Sequence, residues 1–240
     1  MSARFQELDW RATPLGELVL RRRWDPMADR EVHEIKLNDE FLMSSLFTVA
    51  EEELGRLALA ELTSGPLDVV VGGLGLGFTA QSVLANPDVR RLVVVDALGE
   101  VIEWHERGLI PAGAALTADP RCGLVQGDFF AMVRSGAEFD PASKPGALWH
   151  AIVVDIDHSP RHHLHPGHAD LYQPAGLLRV AERLHPGGVF ALWSNDPPDE
   201  EFTAALTETF ANVRAEIVRF DNPLQQREAT ATVYLATTAD

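Results

Sequence analysis

The sequence has few features of a secreted or membrane protein. Its 240 residues contain one cysteine, Cys122, so no disulfide can form within the chain. No apolar run approaches the roughly 20 residues that a membrane span needs, and the first residues lack the apolar segment of a signal peptide. We therefore expect a cytoplasmic protein with no membrane partner.

Positive charge is also scarce. The chain has 20 Lys and Arg residues against 36 Asp and Glu residues, which gives a net charge of −16. Nucleic acids are disfavoured as partners because phosphate contacts require Lys and Arg. The surplus of negative charge suits a cationic or neutral small molecule, although it is also common in proteins that are merely acidic.

The first part of the chain is predicted to form a β-rich extension over residues 1–38. Apolar and polar residues alternate in 16–22 and again in 30–37, which is typical of strands with one buried face. Asp25-Pro26 lies between them and indicates a turn.

A long helix is predicted to follow, near residues 39–62. Asn38 or Asp39 would cap it, apolar residues from Leu42 onward keep the spacing of a buried helical face, and residues 64–66 would end it. We assign residues 39–240 to a second domain.

From residue 67 onward the pattern alternates between strand and helix. Such alternation predicts an α/β domain, in which a mainly parallel sheet is covered on both faces. The last two predicted strands have no helix between them, which favours an antiparallel hairpin at the sheet edge. The predicted strands are 67–71, 91–96, 123–126, 148–155, 188–193, 213–220 and 229–236. The predicted helices begin near 77, 129, 175 and 200, and one more runs through Val101 and Trp104.

A glycine-rich turn follows the first of these strands. Gly72, Gly73, Gly75 and Gly77 lie between the buried strand and the next helix. Glycine lets a backbone turn sharply and approach a ligand closely, so we assign these residues to a nucleotide-type binding site at the carboxyl edge of the sheet. A plain tight turn is the alternative.

Acidic residues end the next two strands. Asp96 lies 19 residues after Gly77, where a carboxylate can accept hydrogen bonds from two ribose hydroxyls. Asp128, which precedes Phe129, is a candidate acceptor for an adenine amino group. Each aspartate is also a plausible helix N-cap, so both interpretations stay open.

The fourth strand ends with Asp155, and His158 follows. A catalytic group belongs at this edge, and we select Asp155 and His158 as candidate bases. His158 also begins a cluster of histidines at 162, 163, 165 and 168. This stretch is interpreted as a solvated or substrate-gating loop or as a source of acid–base catalysis. A metal site is the weaker alternative, because the prolines and glycine in this stretch indicate a loop and no cysteine accompanies the histidines. We assign no metal.

Taken together, these motifs resemble the spermidine synthase branch of the class I methyltransferase fold over nearly the whole chain. The resemblance implies a Rossmann-like seven-stranded sheet, an adenosyl sulfonium ligand (S-adenosylmethionine or its decarboxylated form) and a possible homodimer. It argues against a nicotinamide enzyme. The segments that carry the resemblance are 38–41 for the family's Asp-Glu-Phe, 72–77 for its glycine loop, 119–121 with 127–128 for its third-strand signature, and 155–160 for its Asp-Ser-Ser-Asp-Pro loop.

Three departures from the family pattern bear on the reaction. Gly75 stands where the family has an aspartate that holds the amino group of the decarboxylated donor. Met43 and Ser44 stand where it has a tyrosine and a histidine that hold the polyamine. His158, beside Asp157, falls at or next to the family's second loop aspartate, which deprotonates the amine.

These departures favour an S-adenosylmethionine-dependent methyltransferase. Its acceptor would be a small molecule or a peptide, and Gly72, Gly73, Gly75, Gly77, Asp96, Asp128, Phe129 and Asp155 would bind the cofactor. An aminopropyltransferase that uses decarboxylated S-adenosylmethionine is the first alternative. A non-catalytic nucleoside-binding protein is the second.

Overall fold

The computed structural model of the chain describes residues 5–38, 40–63, 65–222 and 227–240. Asp39 and Ser64, which belong to the predicted cap and end of the long helix, lie outside this part. The described residues form two sheets, one of four strands and one of seven.

The N-terminal sheet is antiparallel throughout. Leu18 and Leu20 alternate with more exposed residues and are completely buried, as the period-2 pattern predicted. Asp25 accepts hydrogen bonds from the backbone N–H groups of Met27 and Ala28, both at 3.0 Å, which confirms the predicted turn. The four strands are β1 (Phe5–Thr13), β2 (Gly16–Asp25), β3 (Arg30–Leu37) and β4 (Glu40–Ser44).

The predicted helix over 39–62 is wrong in its first part. Residues 40–44 form β4, which pairs with β3, and the helix α1 covers only Val49–Ala60. The apolar spacing from Leu42 onward suits a helix, but backbone pairing with the neighbouring strand decides the conformation. The N-terminal sheet therefore continues past residue 38, where the sequence predicted its end.

The central sheet contains the seven strands β5 (Leu67–Gly72), β6 (Val89–Asp96), β7 (Cys122–Gln126), β8 (Trp149–Val154), β9 (Leu184–Ser194), β10 (Asn212–Asn222) and β11 (Arg227–Thr237). Their order is β10-β11-β9-β8-β5-β6-β7. The five strands β5 to β9 are parallel, and β11 is antiparallel to both of its neighbours. This arrangement confirms the Rossmann-like seven-stranded sheet and the terminal hairpin.

Helices cover both faces of this sheet. All residues of β5 are buried, as expected for a strand between two layers. One core contains Leu54 and Trp104 together with Leu18 of the N-terminal sheet, and the other contains Phe129 and Leu177. The helices after α1 are α2 (Phe78–Leu84), α3 (Gly99–Glu106), α4 (Gly113–Ala118), α5 (Phe129–Ser135), α6 (Pro174–Ala181) and α7 (Glu200–Thr207).

This architecture brings the sequence motifs to one edge. Parallel strands end on the same side, so the loops after β5, β6, β7 and β8 meet there. Strands β3 and β4 also reach this edge, because Ile35 and Met43 line the cavity that it encloses. Among the described helices, none is long and apolar enough to cross a membrane.

Candidate functional site

A first cavity of about 650 Å³ lies at the carboxyl edge of the parallel strands. Its volume falls within the roughly 300–1,000 Å³ that is usual for small-molecule sites. The predicted site residues that line it are Gly73, Gly75, Asp96, Asp128, Phe129, Asp155 and His158.

Two positions of the glycine loop have positive φ and little room for a side chain. Gly73 has φ +95°, and a Cβ there would lie 2.1 Å from the carbonyl oxygen of Asp155. Gly75 has φ +46°, and a Cβ there would lie 2.7 Å from Sδ of Met43. Position 73 therefore requires glycine because the obstacle is backbone, whereas a side chain at position 75 would require the flexible end of Met43 to move.

Gly72 and Gly77 are placed differently, because they are not among the lining residues of the first cavity. Gly72 is buried at the end of β5, and a Cβ there would lie 2.9 Å from the Phe129 ring. Gly77 is the N-cap residue of α2, with φ +89°. Both glycines therefore influence the conformation of the loop without lining the cavity.

Asp96 is fixed by the backbone of the neighbouring loops. Its Oδ2 accepts a hydrogen bond from the Leu74 N–H and its Oδ1 from the Leu98 N–H, both at 2.8 Å. Desolvation raises the pKa of Asp96, and the backbone N–H groups partly oppose this rise. Because each carboxylate oxygen can accept a second hydrogen bond, Asp96 can hold the loop and still bind ribose hydroxyls.

Asp128 caps the next helix. Its Oδ1 accepts a hydrogen bond at 2.9 Å from the N–H of Ala131, so the N-cap interpretation is confirmed. The residue is exposed and also lines the first cavity. The Asp128 carboxylate therefore lies at the first cavity next to Phe129, which lines the same cavity.

Asp155 faces a carboxylate that the sequence analysis missed. Its Oδ2 accepts a hydrogen bond at 2.6 Å from Oγ1 of Thr79. Desolvation raises the pKa of Asp155, and the Thr79 contact opposes the rise. Glu51 on α1 is half-buried, and desolvation together with the negative charge of Asp155 raises the pKa of Glu51 to about 8. The two carboxyl groups therefore carry less than two negative charges near neutral pH.

The loop after Asp155 is anchored by Asp157. This buried carboxylate accepts hydrogen bonds from the Leu164 N–H at 2.7 Å, from Nδ1 of His168 at 2.8 Å and from the Tyr172 hydroxyl at 2.8 Å. Its hydrogen bonds all serve the loop, so we assign Asp157 to holding the loop against the sheet.

The backbone of His158 is fixed by two hydrogen bonds. Its N–H donates to the carbonyl of His162 at 3.1 Å, and its carbonyl accepts from the N–H of Asn195 at 2.8 Å. The loop also brings His163, His165 and His168 to the first cavity. Among the described residues, no three His, Cys, Asp or Glu side chains converge as a metal site.

A second cavity of about 630 Å³ adjoins the first. The described residues that line both cavities are Leu42, Met43, Glu51, His158 and Trp193. Within these linings Glu51 is the carboxylate that borders both cavities. The two spaces therefore meet at an acid and an imidazole.

Part of the chain is similar in sequence to several named proteins. No family model matches the chain. A Pseudomonas aeruginosa protein named polyamine aminopropyltransferase 2 is 31% identical over 160 residues, which are 62% of this chain and 41% of that protein. A Nicotiana tabacum protein named putrescine N-methyltransferase 3 is 31% identical over 138 residues, which are 58% of this chain and 32% of that protein. The matched part spans less than half the length of these relatives.

Two solved structures share the fold of the chain. A spermidine synthase from Thermotoga maritima superposes with a TM-score of 0.72 at 15% identity, over 98% of this chain and 73% of that one. A spermidine synthase in complex with the transition state analogue AdoDATO superposes with a TM-score of 0.74 at 16% identity, over 98% and 74%. The chain has the fold of these spermidine synthases. Its fold is that of the class I methyltransferases, as the motifs predicted.

Proposed function

We propose that this protein transfers a methyl group from S-adenosylmethionine to a small amine. The observation that carries the proposal is the junction of the two cavities at Glu51 and His158. A donor in the first cavity and an acceptor in the second would meet there. The names of the sequence relatives, an aminopropyltransferase and a putrescine N-methyltransferase, support group transfer to an amine.

The first cavity suits an adenosyl group. Asp96 has free lone pairs for the ribose hydroxyls, and Asp128 offers a carboxylate for the adenine amino group. Gly73 and Gly75 let the backbone approach the ligand closely. Asp155 and Glu51 place negative charge where a sulfonium would lie, which favours a cation electrostatically.

The reaction needs a neutral amine. When its nitrogen lone pair attacks the methyl carbon, a carbon–nitrogen bond forms, the carbon–sulfur bond breaks, and its electron pair stays on sulfur. The amine proton passes to a protein group near the junction, where Glu51, Asp155 and His158 are the candidates. The main contribution of the protein is to hold nitrogen, carbon and sulfur in line.

Transfer of methyl rather than aminopropyl is favoured by the contact between Met43 and Gly75. Sδ of Met43 fills the space that a side chain at position 75 would need, 2.7 Å from the Cβ site. An acidic side chain at that position is the family's means of holding the amino group of the decarboxylated donor. The departures at Gly75 and Met43 therefore lie side by side, and the Met43 thioether takes the space of the family's carboxylate.

Aminopropyl transfer is the second candidate, and the charge of the first cavity favours it. The described lining residues include no Lys or Arg to pair with the carboxylate of S-adenosylmethionine. Glu51 and Asp155 would instead suit the ammonium group of the decarboxylated donor.

The test is a transfer assay that compares both donors with a mixture of primary amines, analysed by mass spectrometry. We expect methylated amine and demethylated nucleoside from S-adenosylmethionine, and loss of both in Asp96→Ala. The exposed Asp88, outside both cavities, provides the matched control Asp88→Ala. Aminopropylated product alone would establish the second candidate. Nucleoside binding without product from either donor would indicate a non-catalytic binding protein.

A further inference from the structure

We infer that the second cavity binds a primary amine with an apolar, preferably aromatic, body and a single ammonium group, rather than a linear diamine. This inference rests on the proposed function, because it specifies the acceptor that would reach the junction with the first cavity.

The walls of the second cavity are rich in aromatic side chains. Phe41 comes from β4, Phe47 from the segment before α1, Trp193 from β9 and Phe220 from β10. The rings of Phe47 and Phe220 lie 6.0 Å apart between centroids and are tilted by 36°. Rings from four separate segments give a surface that gains by covering an apolar body.

The residues that replace the family's polyamine contacts fit this picture. Met43 and Ser44 line the second cavity, and neither can carry a charge. Met43 contributes a polarisable thioether that packs well against aromatic rings. Met43 and Ser44 therefore favour contact with the apolar part of an amine over binding of a second ammonium group.

The charges of the second cavity suit one ammonium. Its described carboxylates are Glu51 and Glu228. Glu228 accepts a hydrogen bond at 2.9 Å from Nη1 of Arg219 in an exposed ion pair, which offsets part of its charge. Glu51 borders the first cavity, and an ammonium bound there would place its nitrogen toward the donor. Arg227 also lines this cavity, and its positive charge opposes the second ammonium of a linear diamine.

The experiment is calorimetric titration of the full chain with 2-phenylethylamine and with 1,4-diaminobutane, each with and without methylthioadenosine. We expect 2-phenylethylamine to bind at least about tenfold more tightly than the diamine. Phe220→Ala and Phe47→Ala should each weaken 2-phenylethylamine binding by about tenfold and leave methylthioadenosine binding unchanged. Phe220→Leu preserves apolar volume if the alanine variant does not fold. The exposed Phe5, outside both cavities, provides the control Phe5→Ala.

The outcomes separate this inference from the proposed function. Equal or tighter binding of the diamine overturns it, and so does unchanged 2-phenylethylamine binding in both phenylalanine variants. If methylthioadenosine fails to bind while 2-phenylethylamine binding depends on Phe220, the donor assignment falls and the aromatic amine site stands.

Discussion

Glu51→Gln should make the unliganded protein more stable at alkaline pH. In the folded protein, desolvation and the charge of Asp155 raise the pKa of Glu51 from 4.5 to about 8. Between these values the unfolded chain holds fewer protons than the folded chain, so the free energy of unfolding falls as pH rises through this range. Glutamine keeps the shape of the side chain and cannot ionise, so the variant escapes this loss.

The pKa shift sets the magnitude. A rise from 4.5 to about 8 is a gross cost of about 5 kcal/mol above that range, at about 1.4 kcal/mol per pKa unit. Glu51 is only half-buried, and the proton can move to Asp155, so water and the pair itself remove part of this cost. We expect a gain of about 1–3 kcal/mol at about pH 8.5 and a difference below about 0.5 kcal/mol at about pH 5.

The assay is urea unfolding of the wild type and the variant at both pH values. The exposed Glu106 ends α3 and lines neither cavity, so Glu106→Gln removes a carboxylate away from the pair and serves as the control. A gain at alkaline pH no larger than that of the control would refute the carboxyl pair. A gain of the same size at both pH values would show that packing, rather than charge, is responsible.

Three further predictions concern the surroundings of the site. Gly75→Asp should weaken methylthioadenosine binding by at least about tenfold in calorimetry because its Cβ meets Met43, and added Met43→Ala should restore binding and shift preference toward the decarboxylated donor. His105→Phe should cost about 1–3 kcal/mol in urea unfolding because Nε2 lies 2.9 Å from the Gly75 carbonyl oxygen, and His105→Gln should recover part of it. Asp157→Asn should speed proteolysis within residues 158–168, since it weakens the hold on His168.

Much of the fold was predictable because its signals are local. Buried runs such as 91–96 and the glycine turn after β5 identify parallel strands and their binding edge without any long-range information. Helix α1 was placed too early because Leu42 satisfies both a helical and an extended pattern. Only the pairing of 40–44 with β3 distinguishes the two, and that pairing depends on tertiary structure.

The sequence predicted those site residues that belong to a local motif with a single role. Asp96, Asp128 and Asp155 were found from their places at strand ends. Glu51 lies in a run of three glutamates, which in sequence indicates an exposed helical face. The second cavity lies between β4 and α1 on one side and the hairpin of β10 and β11 on the other. These elements are separated by well over half of the chain, so no local sequence pattern predicts the cavity.

The central claim is that the first cavity binds an adenosyl sulfonium donor. Calorimetric titration of the wild type and Asp96→Ala with S-adenosylmethionine, its decarboxylated form and methylthioadenosine tests it most directly. We predict that all three nucleosides bind the wild type, that S-adenosylmethionine binds more tightly than its decarboxylated form, and that Asp96→Ala loses at least about tenfold in each affinity. Absence of nucleoside binding, or equal affinities in the wild type and Asp96→Ala, would contradict it.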